Sequence, residues 1–334
     1  MNPYGRDKYR ELWAAVTGPA AGLGGAGRLM RTRPAGAEPK GNPMGKSLFV
    51  AAGQNGLRLT SADGRTWTDV QTGKEGETFR GVAFGNGVCA AVGSYGGSNI
   101  FAATRDGRDW KTSLHDAKYS KYLRGVMFGK ERFLGLGGDP GSVGSSHPFV
   151  MESADGLKWT DPFDFGGKNI LRRAAFGNGN YVGVGDRGRR AASSDGRAWK
   201  DAPEVKARDT LIDVAFGAGV FVGVGLHGLR MTTADGLTWT DKQLGEEGEH
   251  LNSILWIGDR FAAIGAGATY FSADGRKWTR RENRDAPPTA AFGNGVFVGA
   301  AWKGRLLRSD DGIAWTEVLR TEHHVEAVGF GRMG

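Results

Sequence analysis

Short apolar runs bounded by glycine recur along the chain from about residue 44 onward, as in Gly81-Val-Ala-Phe84, Val88-Cys-Ala-Ala-Val92 and Asn99-Ile-Phe-Ala-Ala-Thr104. Runs this short, closed by turn residues, predict buried β-strands rather than helices. One phrase punctuates them seven times: Ser61-Ala-Asp63-Gly64-Arg-Thr-Trp67, Thr104-Arg-Asp106-Gly107-Arg-Asp-Trp110, Ser153-Ala-Asp155-Gly156-Leu-Lys-Trp159, Ser193-Ser-Asp195-Gly196-Arg-Ala-Trp199, Thr233-Ala-Asp235-Gly236-Leu-Thr-Trp239, Ser272-Ala-Asp274-Gly275-Arg-Lys-Trp278 and Ser309-Asp-Asp311-Gly312-Ile-Ala-Trp315. From Asp63 to Asp311 is 248 residues in six steps, about 41 per repeat, the length of a four-stranded propeller blade.

A second phrase lies between apolar runs: Phe84-Gly-Asn-Gly87, Phe128-Gly-Lys130, Phe176-Gly-Asn-Gly179, Phe216-Gly-Ala-Gly219, Trp256-Ile-Gly258, Phe292-Gly-Asn-Gly295 and, near the end, Phe330-Gly-Arg332. It reads as a tight hairpin joining strands A and B of each repeat, with glycine supplying the positive φ such turns need. Strand C leads into the Asp-Gly pair and strand D begins near the Trp. The last phrase, Val325-Glu-Ala-Val-Gly-Phe330-Gly331, is a strand A with nothing after it, whereas the first repeat (Leu48–Ala52, Leu57–Thr60, Thr66–Val70) lacks an A. The expected fold is therefore all-β: a seven-bladed β-propeller of four-stranded blades, closed by a C-terminal strand completing the first blade.

Composition sharpens this picture. Glycine, at 57 of 334 residues, suits a repeated turn, and the single cysteine, Cys89, excludes an intramolecular disulfide framework. No run of apolar residues is long enough for a transmembrane helix. The net charge of +8 is unevenly placed: residues 1–43 carry seven basic and three acidic groups, and the other 291 carry 37 and 33. Charge spread so thinly over the main body argues against a nucleic-acid partner.

On these two phrases, residues 44–334 resemble the Asp-box (bacterial neuraminidase, BNR) repeat propellers, a family that includes sialidases, some xyloglucan hydrolases and photosystem II assembly factors. The family's box usually runs Ser-x-Asp-x-Gly-x-x-Trp, whereas all seven copies here place glycine directly after Asp. The resemblance implies a sialidase-like fold and leaves the activity open.

Seven identical carboxylates in seven turns (Asp63, Asp106, Asp155, Asp195, Asp235, Asp274, Asp311) read as structural acceptors of backbone N–H groups, since a catalytic site needs different groups converging on one place. Each Trp is expected to pack between blades. A–B and C–D turns share one face of the ring. B–C and D–A loops share the other, where sequence variation concentrates in Thr112–Leu123, Gly137–Pro148, Asp161–Leu171 and Asp201–Thr210.

On that face Arg80, Arg124 and Arg172 enter strand A at matching places and form a candidate carboxylate or phosphate site at the channel mouth. Tyr95, His227 and Trp302, with His147, Arg187 and Lys303, are candidate ligand contacts in the B–C turns. Sialidases commonly place their first arginine in a Phe/Tyr-Arg-Ile-Pro phrase, which Phe79-Arg80-Gly81-Val82 lacks. No catalytic residue, metal site or cofactor is expected: His323-His324 has no third ligand at suitable spacing.

Residues 1–43 form a basic Gly/Pro-rich tail, expected as a unit apart from the propeller. Tyr9, Leu12, Trp13 and Val16 make one stripe of a short amphipathic helix, a candidate partner-docking element. A retained tail is preferred to a signal peptide because Arg28, Arg31 and Arg33 stand just before Ala35-Gly-Ala37. The resulting expectation is a non-enzymatic scaffold or partner-binding propeller, a subunit or assembly factor contacting protein through its tail or loop face. The alternative is a glycan-binding or glycosidase-like propeller.

Overall fold

Each Asp-Gly phrase becomes the hairpin between the third and fourth strands of a four-stranded antiparallel sheet, and seven such sheets make up the ring. A computed structural model describes residues 45–116, 122–139, 147–203 and 205–334. The stripe of Tyr9, Leu12, Trp13 and Val16 lies outside the described residues. The innermost strands (A) of blades 1 to 7 are Val325–Met333, Thr78–Gly85, Leu123–Gly129, Leu171–Gly177, Leu211–Gly217, Leu251–Trp256 and Thr289–Gly293. Each packs against the A strand of the next blade in a closed circuit around a central channel.

Closure is by strand pairing. Val325–Met333 runs antiparallel to Lys46–Gly53, from Lys46 opposite Met333 to Gly53 opposite Val325, and Arg58–Ser61 and Thr68–Gln71 complete blade 1. The pairing extends further than the apolar pattern indicates, because Gly331, Arg332 and Met333 continue the ladder and Met333 is buried. In blade 2 the outer strand Lys111–His115 occupies the start of what reads as a loop from Thr112. Its polar, half-exposed side chains conceal a backbone fully paired with Asn99–Ala103.

Hydrophobic clusters join neighbouring blades rather than filling each one separately. Phe49 of blade 1 packs with Val298 of blade 7, and Val184 of blade 4 with Leu211 of blade 5. The box tryptophans sit at these seams: Trp159 of blade 3 stacks on Phe101 of blade 2 with centroids 4.7 Å apart. Arg58, Arg190 and Arg230, buried on the third strands of blades 1, 4 and 5, lay their guanidinium groups over Trp110, Trp239 and Trp278 of the next blade.

The Phe-Gly phrase has a role that its turn alone does not explain. A Cβ on Gly85 would lie 2.1 Å from the Phe128 ring, on Gly177 2.2 Å from Phe216, and on Gly293 2.1 Å from Phe330. Each of these glycines therefore seats the aromatic ring of the following blade, a contact no side chain would permit. The positive φ is supplied later in the turn, by Asn86 and Gly87 and their counterparts Asn178 and Gly179.

Candidate functional site

At the N-terminal end of strand A the ladder carries an extra residue. Phe79 pairs with Gly93 and Gly81 with Val92, leaving Arg80 as a bulge. The same shift places Arg124 in blade 3, Arg172 in blade 4, Ile212 in blade 5, Asn252 in blade 6 and Glu326 in blade 1 at the bulged position. A bulge re-aims its side chain out of the alternating pattern. Glycine opposite the bulge makes room for it: a Cβ on Gly93 would lie 1.8 Å from the Thr78 carbonyl oxygen, and on Gly185 2.0 Å from that of Ile170.

Arg80, Arg124 and Arg172 thus form an arc on three successive blades, close enough for their charges to act on one another. The three differ in what holds them. Arg172 is tied by Nε and Nη2 to both oxygens of Asp186, the Nη2 bond measuring 3.0 Å. Arg80 lies 3.9 Å from Glu326, which also accepts a hydrogen bond from Gln54 Nε2 at 3.1 Å. Arg124 rests over the ring of Tyr122, 5.3 Å from its centroid. The Nε atoms of Arg80 and Arg124 are both buried with no hydrogen-bond partner among the described residues.

Burial first, then the positive charges of Arg172 and Arg80, push Arg124 down to about 10, against the weaker support of Asp186 and Asp139. A cation crowded by cations and partly stripped of water, with an idle donor, is an electrostatic setting for an anion.

The other candidates lie on or beside the B–C turns of separate blades. Tyr95 lies beneath the Lys74 ammonium, 6.0 Å from its ring centroid. The exposed His227 donates its backbone N–H to His250 Nδ1 at 3.1 Å, and the two rings meet edge to face. Trp302, 43% exposed, meets His324 edge to face at 4.8 Å. Arg187, His227 and Lys303 all take positive φ at the tips of their B–C turns, so there the turn's geometry repeats while its chemistry varies, and His147 also has positive φ, just before strand Phe149–Ser153.

Asp63, Asp106, Asp155, Asp195, Asp235, Asp274 and Asp311 lie on the opposite turns, and each accepts two backbone N–H groups and a Ser or Thr hydroxyl through Oδ1. The same hydroxyl accepts the N–H of the following glycine, as from Gly196 to Ser193 at 2.9 Å. Glu249, a loop acid, accepts the Tyr270 hydroxyl at 2.5 Å and two bonds from Arg280.

Asp186, Glu326, Gln54 and Tyr122, which condition the arginines, were not legible from the repeat. The signal that points to the bulge is the strand B glycine paired just before it in six blades (Gly53, Gly93, Gly137, Gly185, Gly225, Gly265), while blade 7 has Ala301 at the matching place.

No protein-family model matches this chain, and no curated protein matches it. Solved structures do. YCF48 bound to a D1 peptide is 17% identical, with a TM-score of 0.54 over 71% of this chain and 82% of that one. A catalytically inactive virginiamycin B lyase from Staphylococcus aureus with quinupristin is 9% identical, with a TM-score of 0.58 over 72% and 83%. The WD40 propeller domain of Doa1 is 12% identical, with a TM-score of 0.56 over 75% and 84%. At these identities the likeness is one of fold, a β-propeller.

Proposed function

We propose that this chain is a non-enzymatic, partner-binding Asp-box propeller, a subunit or assembly factor of a larger complex, whose channel mouth receives an anionic group of a protein partner. The observation that carries this reading is Arg124, a partly buried guanidinium flanked by two others, with an Nε that no described residue satisfies. The seven repeated carboxylates are spent on backbone N–H groups, and Glu249 on Tyr270 and Arg280, which leaves them poor candidates for acid–base work. A propeller of like fold whose structure holds a bound peptide, YCF48, supports a peptide ligand.

The test is affinity purification of the full chain followed by reconstitution with the recovered partner. Arg124→Gln, which removes the charge and the fork, should weaken that complex by about 1.5–3 kcal/mol with the melting temperature little changed. Unchanged affinity would overturn the reading. The exposed Trp302 favours the second reading, a glycan-binding or glycosidase-like propeller. Retention on an immobilised glycan that Trp302→Ala abolishes and Arg124→Gln leaves intact would replace the first reading with it.

A further inference from the structure

We infer that the outer edge of blade 2 is a docking strand, on which an extended segment of a protein partner adds a fifth strand to the sheet. Lys111–His115 ends that sheet, at the opposite edge from the strand carrying Arg80, and no described strand pairs with its outer side. The surface is separate from the arginine arc and goes beyond the reading of the mouth.

A sheet edge is a row of unpaired N–H and C=O groups, and folded proteins guard such rows against foreign strands by shortness, bulges, proline or charge. Six of the seven described outer strands carry such a guard. In blades 1, 5 and 7 the ladder to Thr68–Gln71, Thr240–Gln243 and Thr316–Arg320 is broken by a register shift. In blades 3 and 4 the outer strands Phe163–Asp164 and Lys200–Asp201 are two residues long, with Pro162 before the first and Pro203 after the second. In blade 6 Thr279–Glu282 carries Arg280, Arg281 and Glu282. Blade 2 differs. Its five residues pair in unbroken register, from Lys111 opposite Ala103 to His115 opposite Asn99, with neither proline nor carboxylate among them, and Leu114 is 58% exposed.

The strand is held from within. Ser113 donates its hydroxyl to the Leu157 carbonyl at 2.8 Å and His115 Nε2 lies 3.1 Å from Asp161 Oδ1, which ties alternate side chains to blade 3. Side chains alternate along a strand, so Thr112 and Leu114 stand on the other side of the sheet, both exposed. An incoming strand thus meets a backbone already in place, whose N–H and C=O groups take an extended chain, and an apolar side chain, Leu114, that selects an apolar neighbour. Lys111, exposed at the start of the strand, selects a carboxylate across from it. A second copy of this chain fits less well, because two such edges paired antiparallel about Ser113 would set each Lys111 opposite the other copy's His115 rather than opposite a carboxylate.

Hydrogen–deuterium exchange of the full chain, read by mass spectrometry, tests this with acetyl-Thr-Val-Thr-Val-Glu-amide, whose antiparallel pairing sets its first Val beside Leu114 and its Glu beside Lys111. At millimolar concentration the peptide should slow exchange in the segment holding Lys111–His115, and the same peptide N-methylated at every residue, which cannot donate to the edge, should not. Leu114→Lys, which gives this edge the kind of charge that guards blade 6, should weaken the peptide at least about fivefold with the melting temperature unchanged, since the side chain is exposed. Thr112→Lys, on the same side of the strand, serves should the first variant fail to fold. No slowing at Lys111–His115, equal slowing by the methylated peptide, or unchanged affinity in a folded lysine variant overturns the docking strand. Self-association of the natural chain that Leu114→Lys abolishes assigns the edge to a second copy and overturns the partner.

Discussion

At Asp195 one carboxylate oxygen receives the N–H groups of Arg197 and Ala198 and the Ser193 hydroxyl, and six other turns repeat the arrangement. At Asp63, Asp106, Asp195 and Asp274 the backbone N–H bonds are the largest influence and hold the carboxyl below its ordinary range. At Asp155, Asp235 and Asp311 desolvation pushes upward and the N–H bonds outweigh it. A carboxyl depressed in the folded state binds more protons when unfolded, so its stabilisation is present above about pH 4 and is lost as pH falls through the depressed values. His324, lowered from 6.5 mainly by burial, and His250, lowered by burial and by His227, act with the same sign at higher pH. The melting temperature is expected to decline modestly as pH falls below about 6.5 and steeply below about 4. Thermal scans from pH 8 to 3 check this, and His324→Gln should blunt the first decline. A flat profile across that range would contradict the assignment.

At the scale of the strand, the closing pair decides whether the ring has an edge. Val325–Met333 joins Lys46–Gly53 on one side and packs against the A strands of blades 2 and 7 on its faces. Deleting residues 325–334 exposes the edge of Lys46–Gly53 and uncovers Phe49, which meets Phe330 at 4.7 Å. The truncated chain should melt at least 10 °C lower, by about the loss of several kcal/mol, and should associate through its open edge. Calorimetry and light scattering read both effects, and an unchanged melting temperature would refute closure by this strand. The pairing itself was legible, since an A strand without B, C and D complements a repeat without an A. Its length was not, because Gly331 and Arg332 carry no apolar signature while their backbone groups still complete the ladder.

On the scale of the molecule, chemistry is divided between two faces. The face of A–B and C–D turns is nearly uniform from blade to blade, with carboxylates and glycines closing hairpins. The mouth face carries the bulged residues and the varied B–C turns. The proposed docking stripe of Tyr9, Leu12, Trp13 and Val16 belongs to this scale, because a helix so short is marginal in water and needs a surface to cover it. Leu12→Ala with Trp13→Ala is expected to abolish association with the purified partner and to leave the propeller's melting temperature unchanged. Quantitative binding with the purified partner checks it, and full retention by the double variant would remove the tail from the interface.

Blade number, strand order and closure were all carried by the sequence alone, because each depends on local turn chemistry and on a period that repeats along the chain. The coarse position of Arg80, Arg124 and Arg172 was carried too, as matching places in three repeats. Tertiary structure alone decided what each arginine is worth. Asp186 reaches Arg172 from the B–C turn of the same blade, Glu326 reaches Arg80 from the far end of the chain, and Tyr122 lies under Arg124. Such contacts follow from the closing of the ring and the bulge on strand A, which bring together residues with no fixed spacing between them. The seat that Gly85 makes for Phe128 was hidden for the same reason: a glycine required by a neighbour looks, in one dimension, like a glycine required by a turn.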